Sequence, residues 1–187
     1  YKNNECVVIA DEIWSDLILK GSQHIPTQSI SPDARNRTIA LYAPSKTFNL
    51  AGLVGSYHII FNKMLRDRVE AKSRKSHYNT MNVLSMHALI GAYEAEGYTW
   101  VNELCQVLSE NVDYAVNHIR DYYRGIEVSK PQGTYMLFLD CEDWCEENYK
   151  SLDELLKAGW DVGVAWQDGR PFHQKYGIRM NLALPLG

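Results

Sequence analysis

An α/β fold, with a sheet domain followed by a smaller α+β domain, is predicted by three features of this 187-residue chain. Two short apolar runs, residues 6–10 and 38–43, each stop abruptly at polar chemistry, as strands of a buried sheet do. A periodic apolar stripe over residues 99–122 is long for a globular helix and suits a bridge between domains. Behind it, short apolar stretches around Met136 and Ile178 flank a helix that opens on a hydroxyl cap at Ser151.

Taken in order, residues 6–10 form a first strand of the kind buried on both faces, and Asp11 ends it. A carboxylate there needs a cationic partner, unless it caps a helix beginning at Glu12. Residues 12–20, apolar at Ile13, Leu17 and Ile18, are expected to form a short helix-like turn. Residues 21–37, with Pro26, Pro32 and several serines, are a loop broken by one turn at 33–36. Residues 38–43 are the second strand, and Pro44, Ser45 and Lys46 follow directly.

A lysine so placed stands beside the crevice where open α/β sheets put their ligands. The chemistry that most wants a partly buried amine there is Schiff-base formation with a carbonyl. The plain alternative is a surface lysine whose stem lies on apolar neighbours. Asp11 and Lys46 together suggest more, because an Asp on the ring nitrogen and a Lys on the aldehyde are how proteins hold pyridoxal phosphate as an electron sink. A nucleotide-phosphate loop is excluded: P-S-K-T lacks upstream glycines, with Leu41, Tyr42 and Ala43 in their place.

The third strand is expected over residues 55–61, followed by Asn62 as the cap of an amphipathic helix with a basic end at Arg74 and Lys75. His77, Tyr78 and Asn79 break the pattern, and Asn82 restarts a helix in which His87 falls inside the apolar stripe and reads as a core histidine. The long helix ends at Gly125. Strands over 126–128 and 136–139, a helix over 151–158, a strand over 163–166 and a polar turn over 167–171 build the small domain. Arg179 alternates with Ile178, Met180 and Leu182 on an otherwise apolar strand. A planar guanidinium there calls for a planar anion such as an α-carboxylate, the alternative being a structural ion pair.

Four stretches in this order, V-V-I-A-D-E-I-W-S-D-L, A-P-S-K-T-F-N-L-A-G-L, P-Q-G-T-Y-M-L-F-L-D and G-I-R-M-N-L-A-L-P, resemble the class I/II aminotransferase superfamily of fold-type I pyridoxal-phosphate enzymes. Within it they are similar to the MalY/PatB-type carbon–sulfur lyases, the cystathionine β-lyase-like branch. The resemblance implies the C-terminal half of a large mixed α/β sheet domain (1–98), followed by an interdomain helix and small α+β domain (99–187). It implies a homodimer and a C-terminal fragment of an enzyme inactive by itself, the missing part supplying further cofactor contacts. Lys46 would be the catalytic Schiff-base lysine, Asp11 would face the pyridine nitrogen, and Arg179 would hold the substrate carboxylate.

Trp14 stands where relatives place a Tyr or His that reaches the cofactor's ring oxygen, and an indole can donate there but not titrate. Ala43 replaces the family's phosphate-binding Ser, which leaves Ser45 as the local hydroxyl. Val54 stands where many aminotransferases carry a phosphate-binding Arg, and the lyase-like branch often lacks that Arg. The expected activity is therefore β-elimination from cystathionine- or cysteine-type amino acids. Transamination, or a non-catalytic binding domain of the same fold, are the other outcomes.

Bulk composition fits an ordinary soluble cytoplasmic domain: the chain is 45% hydrophobic, and a net charge of -4 gives no reason to expect nucleic acid or an anionic membrane as partner. Cys6, Cys105, Cys141 and Cys145 contain no C-x-x-C pair, so neither a metal knuckle nor a redox motif is expected. No apolar run approaches the roughly twenty residues that span a bilayer.

Overall fold

In the computed structural model, which describes residues 2–76 and 80–185, the chain divides into two compact units: Tyr1–Ile18 with Gln23–Glu103, and Leu19–Ser22 with Leu104–Gly187. The expected break at His77, Tyr78 and Asn79 lies outside the described residues.

The first unit is built on a three-stranded sheet. β1 (Val8–Asp11) leads through loop residues to α1 (Pro32–Arg37), where the Ser31 side chain accepts the Ala34 N–H and Pro32 fills the first turn. β2 (Thr38–Tyr42) follows at once and pairs parallel with β1, Asp11 lying opposite Leu41. After it comes a single helical turn, α2 (Pro44–Thr47), and then β3 (Tyr57–Ile60), which pairs antiparallel with β2. The sheet is therefore mixed, in the order β1-β2-β3.

β1 departs from the expected strand buried on both faces: its residues alternate between half-buried and exposed, and Ile9 is 69% exposed. The reason is its place at the sheet edge, paired among the described residues with β2 only. Residues 12–17 make the expected helix-like turn: Ser15 N donates to Glu12 O and Leu17 N to Trp14 O, successive four-residue turns that carry Leu17 into full burial.

Asn62 and Asn82 cap α3 (Lys63–Ser73) and α4 (Val83–Ala92), their side chains accepting the Leu65 and Ser85 N–H groups. His87 is exposed rather than a core histidine, because α4 turns most of its apolar residues outward; Val83, Leu84 and Ile90 are each more than half exposed. The next helix, α5 (Ala95–Tyr122), runs for 28 residues and contains the boundary between the units.

In the second unit, β4 (Glu127–Val128) and β5 (Met136–Asp140) precede α6 (Glu142–Glu147) and α7 (Leu152–Asp161). A reciprocal capping box opens α7: Ser151 Oγ accepts the Glu154 N–H, and the Glu154 carboxylate accepts the Ser151 N–H. The strand expected at 163–166 begins instead at β6 (Gln167–Asp168), inside the expected polar turn. Residues 162–164 finish the helix, with Val164 N bonded back to Gly159 O and Gly163 in the left-handed region.

β7 (Gly177–Asn181) completes an antiparallel sheet in the order β4-β5-β7-β6. Its core is Leu108, Val112 and Val116 of α5 with Leu137, Leu139, Leu156 and Ile178, all at most 2% exposed. Among the described residues no helix is long and apolar enough to cross a membrane.

Candidate active site

Because β1 and β2 run parallel with Asp11 beside Leu41, Asp11 and the residues after Tyr42 leave the sheet at the same end. Glu12 N donates to Leu41 O at 2.9 Å and extends that pairing by one step. Pro44 then starts α2, and Lys46 is the third of its four residues. Lys46 is half-buried, and its Nζ lies 5.5 Å from the centroid of the Trp14 indole. An ammonium group at that range is attracted to the ring face.

Asp11 is exposed, and its Oδ1 accepts the Ile13 N–H at 3.2 Å. That bond is of the kind an N-cap makes, but no helix follows, and the carboxylate instead shapes the turn leading to Trp14. Ser45 is half-buried on α2 beside Lys46, and its carbonyl accepts the Leu50 N–H at 3.1 Å. Val54, eight residues after Lys46, is 79% exposed and has φ 44°.

Two neighbours of this cluster escaped the sequence. Glu12 is 5% exposed, accepts the Thr27 N–H at 2.9 Å and pairs with His24 Nε2. Burial pushes the Glu12 carboxyl up, but the Thr27 amide and His24 outweigh it, and the net value falls below the usual range. Gln28, also buried, donates to Thr38 O and Ile59 O, so the loop after the Asp11 turn is pinned to the sheet. A buried glutamate after a strand end signals that a partner exists, yet nothing in the local spacing identifies His24.

In the second unit, Arg179 on β7 stands opposite Phe138 of β5 and Gln167 of β6. Its guanidinium carbon is 5.0 Å from the Phe172 ring centroid, and Nη1 donates to Gln167 Oε1 at 3.4 Å. Among the described residues no carboxylate forms an ion pair with Arg179. Phe172 in turn meets Phe138 edge-on, with centroids 6.1 Å apart and planes at 86°. Arg170 holds that turn in place through Asp168 and Asp153. Phe172 and Gln167 could not be assigned to Arg179 from sequence, since one comes from a short turn and the other from the two-residue β6, both ahead of its strand.

An amine and a carboxylate leaving one sheet end, an indole against the amine and a hydroxyl beside it are a donor set that fits pyridoxal phosphate. Among the described residues no His, Cys, Asp or Glu cluster could hold a metal ion.

No family model matches the chain. The chain is 31% identical over 152 residues to cystathionine beta-lyase PatB of Bacillus subtilis (strain 168), covering 81% of this chain and 39% of PatB. It is 30% identical over 183 residues to protein MalY of Escherichia coli (strain K12), covering 95% of this chain and 45% of MalY. Its fold matches a crystal structure of the PLP-bound C-S lyase from Staphylococcus hominis with a TM-score of 0.86 at 29% identity, over 98% of this chain and 47% of that one. The chain thus spans less than half the length of these relatives.

On this fold, these motifs and these matches, the chain belongs to the class I/II aminotransferase superfamily of fold-type I pyridoxal-phosphate enzymes. Within that superfamily its likeness is to the MalY/PatB-type carbon–sulfur lyases.

Proposed function

We propose that the intact protein carrying this chain is a pyridoxal-phosphate-dependent carbon–sulfur β-lyase, which converts cystathionine- or cysteine-type amino acids to a thiol, ammonia and a 2-oxo acid. The observation that carries this reading is Lys46 on the turn that leaves β2, its amine against Trp14 and next to the strand end that bears Asp11. Val54 in place of a phosphate-binding Arg supports lyase over aminotransferase.

When bound, the cofactor supplies an electron sink for the charge left at the substrate's α-carbon. Lys46 would be the covalent anchor until the substrate's amine displaces it, and its freed Nζ would then take the α-proton. The Asp11 carboxylate keeps a proton on the pyridine nitrogen by accepting its hydrogen bond. Trp14 packs against the amine and orients it, and Ser45 offers a hydroxyl to the phosphate. Arg179 grips the α-carboxylate with two parallel charge-assisted hydrogen bonds, its plane set by Phe172. A thiolate leaving group on the β-carbon would depart with the electrons left by the α-proton and give elimination; without one, delivery of that proton by Lys46 to the cofactor carbon instead of the α-carbon would give transamination.

We further propose that residues 1–98 are part of the large cofactor-binding domain and 99–187 the interdomain helix with the small domain, in a cytoplasmic homodimer with no nucleic-acid partner. Assays of the intact protein with cystathionine, and with an amino acid plus 2-oxoglutarate, test the activity. Thiol and 2-oxo acid release that is lost in Lys46→Ala is the expected result. Transamination without thiol release would replace the lyase with an aminotransferase, and unaltered function in Lys46→Ala would make the protein a non-catalytic member of the fold.

A further inference from the structure

α2 is one turn long, Pro44–Thr47, and among the backbone bonds that close it is Phe48 N to Pro44 O at 2.9 Å. A single turn is not stable by itself, since fixing the dihedrals of the first turn costs more than its bond returns. The position of Lys46 is therefore decided by what anchors the turn from outside. Pro44 and Thr47 are its buried residues, and Thr47 is 1% exposed. Thr47 Oγ1 donates to Asp16 Oδ2 at 2.8 Å, across 31 residues of sequence.

Asp16 lies two residues beyond Trp14 in the turns that follow Asp11. That one hydrogen bond therefore ties the segment bearing Lys46 to the segment bearing Asp11 and Trp14. It also answers a cost: a buried threonine hydroxyl without an acceptor is unfavourable, and a carboxylate is the strongest acceptor available to it. Lys46 is adjacent to Thr47, so losing the bond frees the amine to leave the Trp14 face, where its Nζ now stands 5.5 Å from the ring centroid.

We propose that Thr47 and Asp16 are positioning residues, a latch that holds the Lys46 amine in register with the Asp11 end of the site. This rests on Lys46 as the cofactor lysine, and the test separates the two ideas. In the intact holoenzyme, Thr47→Val removes the hydroxyl at nearly constant shape, Thr47→Ser restores it, and Asp16→Ala removes the acceptor from an exposed position. Two quantities are followed besides thermal melting: kcat against KM, and the rate at which borohydride fixes the cofactor to Lys46, read by peptide mass mapping.

The expected result is a loss of about tenfold in kcat and in fixation rate for Thr47→Val and for Asp16→Ala, the scale of one charge-assisted hydrogen bond. KM should stay unchanged, Thr47→Ser should recover most of both rates, and the double variant should be no slower than either single one. Unchanged rates in Thr47→Val, additive losses in the double variant, or no recovery in Thr47→Ser would each overturn the latch. Should Thr47→Val fail to fold, Asp16→Ala with wild-type rates overturns it equally. Fixation at a residue other than Lys46 in the unmodified protein would instead overturn the proposed role of Lys46.

Discussion

The guanidinium of Arg179 lies over the ring of Phe172, 5.0 Å from its centroid, while Gln167 Oε1 accepts from Nη1 at 3.4 Å. Stacking on one side and one hydrogen bond at the edge fix the plane of the fork without neutralising it, which is what binding a carboxylate requires.

From this arrangement, Arg179→Lys should raise KM for the amino-acid substrate by roughly ten- to a hundredfold, because an ammonium offers neither the bidentate fork nor the stack. Phe172→Ala should cost only a fewfold, about 0.5–1 kcal/mol of cation–π support. Steady-state kinetics on the intact protein measure both, and equal effects of the two changes would contradict the assignment.

Glu12 makes stability depend on acid. Its folded value lies below the ordinary value of 4.5, so its contribution is complete above that pH and is lost as pH falls through the lowered value. Glu12→Gln keeps the shape but weakens the bonds to the Thr27 amide and His24, and should cost about 1–3 kcal/mol near neutral pH. Urea titrations of both proteins should show that difference shrinking once the pH is well below 4.5.

Gly125, in the turn three residues beyond the end of α5, has φ 75°, and a Cβ there would come within 2.8 Å of the Trp144 backbone nitrogen, whose N–H donates to Gly125 O. Gly125→Ala meets both a left-handed backbone and a close wall, and should destabilise by about 1–3 kcal/mol. A drop in the melting temperature of the intact protein is the readout; an unchanged melt would mean that Gly125 is not held in this conformation against Trp144.

The cysteines should divide by burial. Cys141 is fully buried, and loss of water, aided by Cys145 and Asp140, pushes its thiol up to about 12; burial raises Cys145 as well. Neither should react with iodoacetamide at neutral pH until the protein is denatured, as peptide mass mapping would reveal. Rapid labelling of Cys141 in the native protein would refute this.

Much of the candidate site is proposed from local signals in the chain. A short apolar run ended by Asp11, a second ended by the Pro44–Lys46 turn, and an arginine between Ile178 and Met180 each require only neighbours in sequence, and hydrophobic period and capping chemistry act over a few residues. The same locality made Asn62, Asn82 and the Ser151 capping box legible as helix starts.

Only the tertiary structure could decide which residues act on one another across long separations. Thr47 with Asp16, Glu12 with His24, and Arg179 with Phe172 join segments whose spacing carries no periodic signal, since a side-chain contact depends on where the intervening chain folds back. Burial was decided there too. Ile9 and His87 look like core residues by pattern, yet they are exposed because β1 is an edge and α4 faces outward. Periodicity says that a face is apolar; it cannot say what covers it.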